Sequence, residues 1–375
     1  MTPIGRAVCQ PAHQRDAPQT PGSMKGKALT VLGPVEPSVL GPVLTHEHLS
    51  DTLDNRVFLS GPSELHHAEM SSCSVTIENL WWIRQFPYNH PENLRFHGAD
   101  IDEAILAEMH FLRSNGGGAL VENTCRGMGR NLPLMRRVAR ETGLHIIAGT
   151  GYYVSANYDS SVLKKSVEDL EREFITDITE GADGTDSRCG VLGELGCTWP
   201  LHEFEVRVLR AAASVQKSTG CPVIIHPGRN PQAPAEIMRI FAEAGGKLRH
   251  TVMSHLERTI LDADALVEFA QSYGCYCEHD LFGLETSHYQ PAPSFSMPSD
   301  AQRLVQLKRL VDEGFADRIV VSHDIHTKHR LMKYGGHGYS HILLNVVPAM
   351  LRRGFSADVV RAITQTNPQT WLTFW

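Results

Sequence analysis

From residue 40 onward the chain repeats one unit eight times: a short run rich in Val and Ile and apolar on both faces, then a longer stretch of helical period. The runs cover 43–45, 119–122, 145–148, 190–193, 222–225, 251–254, 275–278 and 318–322. A strand apolar on both faces belongs to a parallel sheet covered by helices, because a half-solvated antiparallel strand alternates apolar with polar residues. The amphipathic stretches between the runs include 102–114, 163–178, 203–218, 235–244, 262–273 and 301–313. Several end at glycine, at Gly116, Gly143, Gly181, Gly220, Gly274 and Gly314, as helices commonly do. Eight such units predict an α/β fold, a (β/α)8 TIM barrel. A doubly wound open sheet is the alternative, but its nucleotide fingerprint is missing: Gly116-Gly117-Gly118 precedes a strand instead of following one, and no GxxxxGK[ST] occurs.

Composition bounds the function classes. A chain of 375 residues that is 42% hydrophobic can bury one large core. Its formal charge of -7, with no basic block, argues against nucleic acid or a polybasic membrane patch as partner. No apolar run approaches the ~20 residues of a membrane span. Eight cysteines lie scattered, most of them inside apolar runs, which predicts reduced, buried thiols in a cytoplasmic protein. Cys275 and Cys277 form C-x-C with no second thiol pair, so a zinc ribbon is not expected. Residues 1–23, rich in Pro, Gln, Arg and Thr, read as a disordered extension without a secretory apolar region; Met24 is a plausible alternative start, and 24–375 reads as a single domain. The largest insertion, 50–100, carries Trp81, Trp82, Phe86 and Tyr88, which either wall a pocket or pack on the barrel's outer surface.

In a parallel barrel every strand C-terminus opens on one face, and that face carries the active site. Ligand-type side chains close several runs there: His46 and His48 after the first, Glu194 after the fourth, His226 after the fifth, His255 after the sixth and Asp324 after the eighth. His46 and His48 stand at i and i+2 of a strand, so both imidazoles point the same way and Glu47 between them points to the opposite side, in a structural role. Singly, Glu194 could cap a helix, His226 could be a loop histidine before Pro227, and Asp324 could be an N-cap. Together they form the donor set of a divalent metal, with Zn, Mn, Co and Fe all suited to it. Arg229 and Arg258, each three residues past a histidine of the set, bring cations to the mouth and point to an anionic small-molecule substrate. Lys328, Arg330, His337 and Tyr339 follow Asp324.

Long stretches carry a resemblance: GPVLTHEHL at 41–49, GVLGELGCTWPL at 190–201, CPVIIHPGR at 221–229, TVMSHLERTILD at 251–262 and SHDIHTKHRLMKYGGHGYSHIL at 322–343. From residue 26 to the end, the chain resembles the animal branch of the phosphotriesterase family, in the amidohydrolase superfamily. The resemblance implies a barrel of the amidohydrolase type with two divalent ions, zinc first. It implies that His46, His48 and Asp324 hold the more buried ion, that His226 and His255 hold the more exposed one, and that Glu194 bridges them beside a shared water. The founding bacterial enzymes bridge with a carboxylated lysine, so the Glu194 bridge is a departure. The resemblance also implies Asp324 as proton acceptor and hydrolysis of a small anionic N-acyl amide, N-acetyltaurine, to taurine and acetate. Lactone or phosphotriester hydrolysis is the alternative, as is a catalytically silent barrel with a binding role. The family's proton-shuttling histidine after strand seven has no clear counterpart in Glu278-His279-Asp280. A homodimer is compatible with all of this.

Overall fold

The computed structural model describes residues 24–52 and 67–375. The extension at 1–23, and 53–66 of the long insertion, lie outside the described residues. A short antiparallel hairpin, β1 (Ala28–Thr30) and β2 (Gly33–Val35), comes first. Eight parallel strands follow: β3 (Val43–Glu47), β4 (Ala119–Glu122), β5 (His145–Thr150), β6 (Val191–Gly196), β7 (Val223–His226), β8 (Thr251–Met253), β9 (Tyr276–His279) and β10 (Ile319–Val321). They pair in sequence order into the expected barrel. Helices intervene, the longer ones being Ala99–Ser114, Leu132–Thr142, Val167–Thr179, Glu203–Thr219, Ala233–Glu243, Ala263–Tyr273 and Asp300–Asp312. Gly143, Gly220 and Gly274 cap three of them with φ of 73°, 75° and 59°, the left-handed turn that lets the chain leave a helix without a Cβ clash.

Both faces of the strands are buried, as their composition requires. One apolar set, Val43, Val121, Ile147, Val191, Ile224, Val252, Tyr276 and Val320, packs together inside the barrel. The alternate set, Leu44, Leu120, Ile146, Leu192, Ile225, Met253 and Val321, packs against the helices. Ala28 of the hairpin, Leu40 and Trp371 join the inner set at the N-terminal end of the barrel, where Trp371 Nε1 donates to Val223 O at 3.2 Å. The hairpin and this plug carry no periodic signal in the sequence.

Two irregularities aim the site. The β3–β4 register shifts between Leu44 and Glu47, and the β6–β7 register shifts between Leu192 and Leu195. A bulge breaks the two-residue alternation. Val43 and His46, three apart, therefore both face inward, as do Val191 and Glu194. At the seam, no ladder pairs β3 with β10 among the described residues; Thr45 Oγ1 donates to Val321 O (3.2 Å) and Asp324 N donates to His46 O (3.0 Å).

The insertion answers the question of the aromatic residues by splitting them. Trp82 is fully buried with Val75, Leu80 and Ile83, Trp81 is exposed, and Tyr88 alone of the four lines the mouth of the barrel. No helix among the described residues is long and apolar enough to cross a membrane. The seven described cysteines are free, and all but Cys73 are buried.

Candidate metal centre

His46 and His48 leave the tip of β3 side by side, their rings 5.7 Å apart. Each has one nitrogen spoken for. His46 Nδ1 lies 3.0 Å from Asp280 Oδ2 and 3.3 Å from Ser254 Oγ, and His48 Nδ1 lies 2.9 Å from Thr124 Oγ1. A ring that gives its Nδ1 proton away presents an Nε2 lone pair. His48 Nε2 faces Asp324 Oδ1 (3.1 Å) and Glu194 Oε1 (3.5 Å); His46 Nε2 faces Glu194 Oε2 (3.6 Å) and Asp324 Oδ1 (3.9 Å). That His46 nitrogen is fully buried with no hydrogen-bond partner among the described residues.

A second group meets the first at Glu194. His226 Nδ1 lies 3.0 Å from Glu194 Oε2 and 2.9 Å from His255 Nε2, while His255 Nδ1 lies 2.7 Å from Asp280 Oδ1. Arg258 Nη2 lies 3.2 Å from His226 Nε2, and His226 Nδ1 stands between a carboxylate oxygen and a second imidazole nitrogen, the place a cation would take. Donor atoms of His46, His48 and Glu194, and again of Glu194, His226 and His255, all lie within 4.8 Å of one another, geometry that could hold metal ions. His46, His255 and Asp280 form a third such group.

The electrostatics agree with the geometry. Burial lowers the pKa of His46, but Glu194, Asp280 and Glu278 outweigh it and hold it well above the ordinary imidazole value. His48 is likewise raised to about 9, where burial is outweighed by its hydrogen bond to Asp324 and the charges of Asp324 and Glu194. Burial alone would raise Glu194 and Asp324, yet the histidines around them, His46 and His226 for Glu194 and His326, His48 and His46 for Asp324, hold both well below the usual carboxylate range. The pocket thus demands positive charge, which divalent cations would supply in place of protons, and the donor set fits them. His255 and Asp324 both sit at φ 55°, a left-handed conformation that costs a non-glycine residue roughly 1–3 kcal/mol and persists only where the surroundings impose it.

Glu47 points away from this cluster. It accepts from Ser322 Oγ (2.8 Å), His323 N (2.9 Å), His323 Nδ1 (2.6 Å) and Ile325 N (3.0 Å), fixing the segment on either side of Asp324. The cations beyond Asp324 are not at the mouth. Lys328 is buried against Glu92 at 3.4 Å, and Arg330 donates to Asp324 O (2.6 Å), Phe282 O (3.1 Å) and His323 O. His337 accepts from Arg330 Nε (3.2 Å), and the buried Tyr339 hydroxyl donates to His48 O. All four brace the loop from beneath.

Arg229 and Arg258 do face the mouth, a cavity of ≈ 520 Å³ partly open to solvent, whose wall also includes Tyr88, Met128, Tyr153, Leu281, Tyr289 and His326. Sequence reasoning missed Asp280, which carries both His46 and His255, and also Tyr289 and His326. His326 Nδ1 donates to Asp324 O at 2.8 Å and lies 3.3 Å from Asp324 Oδ1, whereas His279, at the end of β9, turns outward to Gln306 at 3.0 Å. The histidine beside Asp324 comes from the loop after β10. An HDxH spacing over 323–326 was its only signal: His326 follows Asp324 by two.

The chain can be set beside known proteins on this geometry. The Phosphotriesterase family matches residues 26–372. N-acetyltaurine hydrolase of Bos taurus is 52% identical over 352 residues, covering 94% of this chain and 99% of that protein. The human protein of the same name gives the same identity and coverage. Among solved structures, a resiniferatoxin-binding protein from Rhodobacter sphaeroides superimposes with a TM-score of 0.87 at 31% identity, over 92% of this chain and 95% of that one. A family match spanning the whole barrel, with relatives alike from end to end, makes this chain a hydrolase of the phosphotriesterase family.

Proposed function

We propose that this protein hydrolyses N-acetyltaurine to taurine and acetate, and that residues 24–375 form one domain built for that reaction. The observation that carries the reading is the pair of donor groups sharing Glu194 at the floor of a mouth walled by Arg229 and Arg258. The curated relatives that bear this activity in their name support it. We assign two divalent cations to the groups, zinc first, with Mn, Co or Fe as substitutes. His46, His48 and Asp324 would hold one and His226 and His255 the other, with Glu194 within reach of both groups of donors. When bound, such ions polarise a carbonyl oxygen and lower the pKa of water from about 15.7 toward ~7.

The chain's own groups position and move the rest. Asp324 takes the proton of the attacking water and delivers it to the departing taurine nitrogen, which is a poor leaving group until protonated. His326 and Arg330, both bonded to Asp324 O, hold that residue in its left-handed turn. Glu194 is anionic without modification, so assembly of the site is independent of carbon dioxide. Arg229 and Arg258 receive the anionic end, and the aromatic wall of Tyr88, Tyr153 and Tyr289 limits water. Buried, unbridged thiols fit a cytoplasmic setting.

The test is metal analysis of purified protein coupled to detection of taurine and acetate, before and after chelation and with metals restored singly. Amide, lactone and phosphotriester are assayed side by side. Amide turnover that is lost on chelation, recovered with zinc and exceeds the other two supports the reading. Asp324→Asn is expected to lower kcat on the amide by roughly 10²–10⁴. An unchanged kcat in that variant, or a lactone preferred over the amide, overturns it.

A further inference from the structure

The third donor group, His46, His255 and Asp280, takes one imidazole from each of the other two. Asp280 is fully buried and follows β9 by one residue. β9 stands between β8, which leads into His255, and β10, beyond which lies β3 with His46. The two carboxylate oxygens are divided between the rings: Oδ1 lies 2.7 Å from His255 Nδ1, and Oδ2 lies 3.0 Å from His46 Nδ1. The His255 amide donates to the same carboxylate, 3.2 Å from Oδ1 and 3.3 Å from Oδ2, which braces the left-handed turn of that residue. The ring centroids of His46 and His255 are 4.9 Å apart.

On both rings the other nitrogen faces the donor groups. His46 Nε2 faces Glu194 and Asp324, and His255 Nε2 lies 2.9 Å from His226 Nδ1. An imidazole with a cation on Nε2 keeps its proton on Nδ1. With both groups filled, two N–H donors therefore converge on one acceptor-only carboxylate, the arrangement that orients a metal-bound imidazole and raises its basicity. The cation itself imposes this tautomer, so the contacts to Asp280 survive loading of the site. His48, by contrast, leans on a neutral hydroxyl, Thr124 Oγ1 at 2.9 Å. Fixing either ring fixes the Asp280 carboxylate, and a fixed carboxylate orients the other ring. The ordering cost falls once on two cations, and that couples their binding.

We propose that Asp280 is the positioning residue that links the two donor groups, so that their cations bind as a coupled pair, and that the third group is this link and not a third cation site. The inference rests on the two-cation assignment above and deepens it. An amide in place of the carboxylate breaks the link on one side only. Its oxygen is best placed at Oδ1, where His255 Nδ1 and His255 N both donate. That sets the amide nitrogen 3.0 Å from His46 Nδ1, donor against donor once a cation occupies His46 Nε2.

The test compares D280N, D280A and S254A with the wild type, all as full chains held well below their melting temperatures. Metal content is measured by mass spectrometry and stepwise zinc constants by competition with a chromophoric chelator. Anomalous diffraction at the zinc edge locates the ion of any one-zinc form. The wild type is expected to hold two zinc ions and to release them in one phase. D280N is expected to bind zinc about 10–100-fold more weakly at His46, His48 and Asp324 and within about threefold of wild type at His226 and His255, so that a one-zinc form accumulates. D280A orients neither ring and should weaken both sites by about 10–100-fold. S254A removes only a neutral neighbour 3.3 Å from His46 Nδ1 and should stay within about threefold. If D280A does not fold, the position of zinc in D280N decides alone. Zinc constants in D280N equal to wild type overturn the link, as does zinc kept on the His46 side in that variant, or an S254A loss as large as that of D280N. A third zinc in the wild type that D280A removes, leaving the other two unmoved, makes the group a cation site and overturns it as well. A wild type that holds fewer than two cations refutes the two-cation assignment and the link with it. A wild type that holds a coupled pair but hydrolyses only lactones refutes the proposed reaction and leaves the link standing.

Discussion

Replacing Glu47 by Gln tests whether the residue between the two β3 histidines is a strut. One carboxylate oxygen takes three donors, Ser322 Oγ, His323 N and His323 Nδ1, and the other takes Ile325 N. An amide keeps a single acceptor. Turned the better way, it still serves the three donors and sets its own N–H against Ile325 N; turned the other way, it strands three. The better orientation leaves one buried backbone donor unpaired, about 1–3 kcal/mol, and removes charge assistance from the remaining bonds, about 1 kcal/mol more. The sum, about 2–4 kcal/mol, corresponds to a melting temperature lower by roughly 3–5 °C in a chain of this size. Asp324 lies between His323 and Ile325, both anchored on Glu47, so its carboxylate should shift as well. A displacement near 1 Å can cost about 10²-fold in kcat. Circular-dichroism melting and steady-state turnover of the metal-loaded variant measure both. A melting temperature within about 1 °C of wild type together with an unchanged kcat would refute the strut.

Two further perturbations probe the barrel away from the donors. Burial raises the Glu108 carboxyl to about 7, although it accepts from the Met332 and Tyr339 amides. A raised folded-state pKa means a contribution present below the unfolded value and lost as pH rises through 7. Relative to wild type, Glu108→Gln should therefore gain about 3 kcal/mol between pH ~4.5 and ~8 in denaturant unfolding, and a difference independent of pH would contradict this. Trp371→Ala opens a cavity in the plug at the N-terminal end of the barrel, far from the mouth. It should destabilise by about 3–5 kcal/mol with KM and kcat nearly intact at low temperature, and a selective loss of turnover would argue against the separation of ends.

How much was legible follows from where each signal lies along the chain. The barrel was readable because its strands are buried on both faces and so stand out as unbroken apolar runs. His46, His48, Glu194, His226, His255 and Asp324 were readable because each closes such a run. Asp280 was not: it follows β9 by one residue, and nothing local distinguishes a carboxylate holding two distant imidazoles from a helix cap. Tyr289 lies in the aperiodic stretch after β9, and its partner Arg229 is 60 positions away, a contact only the closed barrel creates. That Lys328 and Arg330 are buried was not legible, because a sequence shows charge and not depth; the carbonyls that satisfy Arg330 belong to His323, Asp324 and Phe282. The bulges in β3 and β6 are also silent in the sequence, yet they decide which side His46 and Glu194 face.

The seam between β3 and β10 carries a dynamic consequence. Seven of the eight joints in the wall are ladders of backbone bonds; among the described residues this one relies on Thr45, Glu47 and the Asp324 amide. A wall breathes where its bonding is sparsest, so sub-global opening should begin there, with Val321 and the amides flanking it exchanging for deuterium ahead of the inner strands. His48 and Asp324 face each other across that joint at 3.1 Å. Any cation they share is a rivet as well as a reagent, and its arrival should register as slowed deuterium uptake along both sides of the seam.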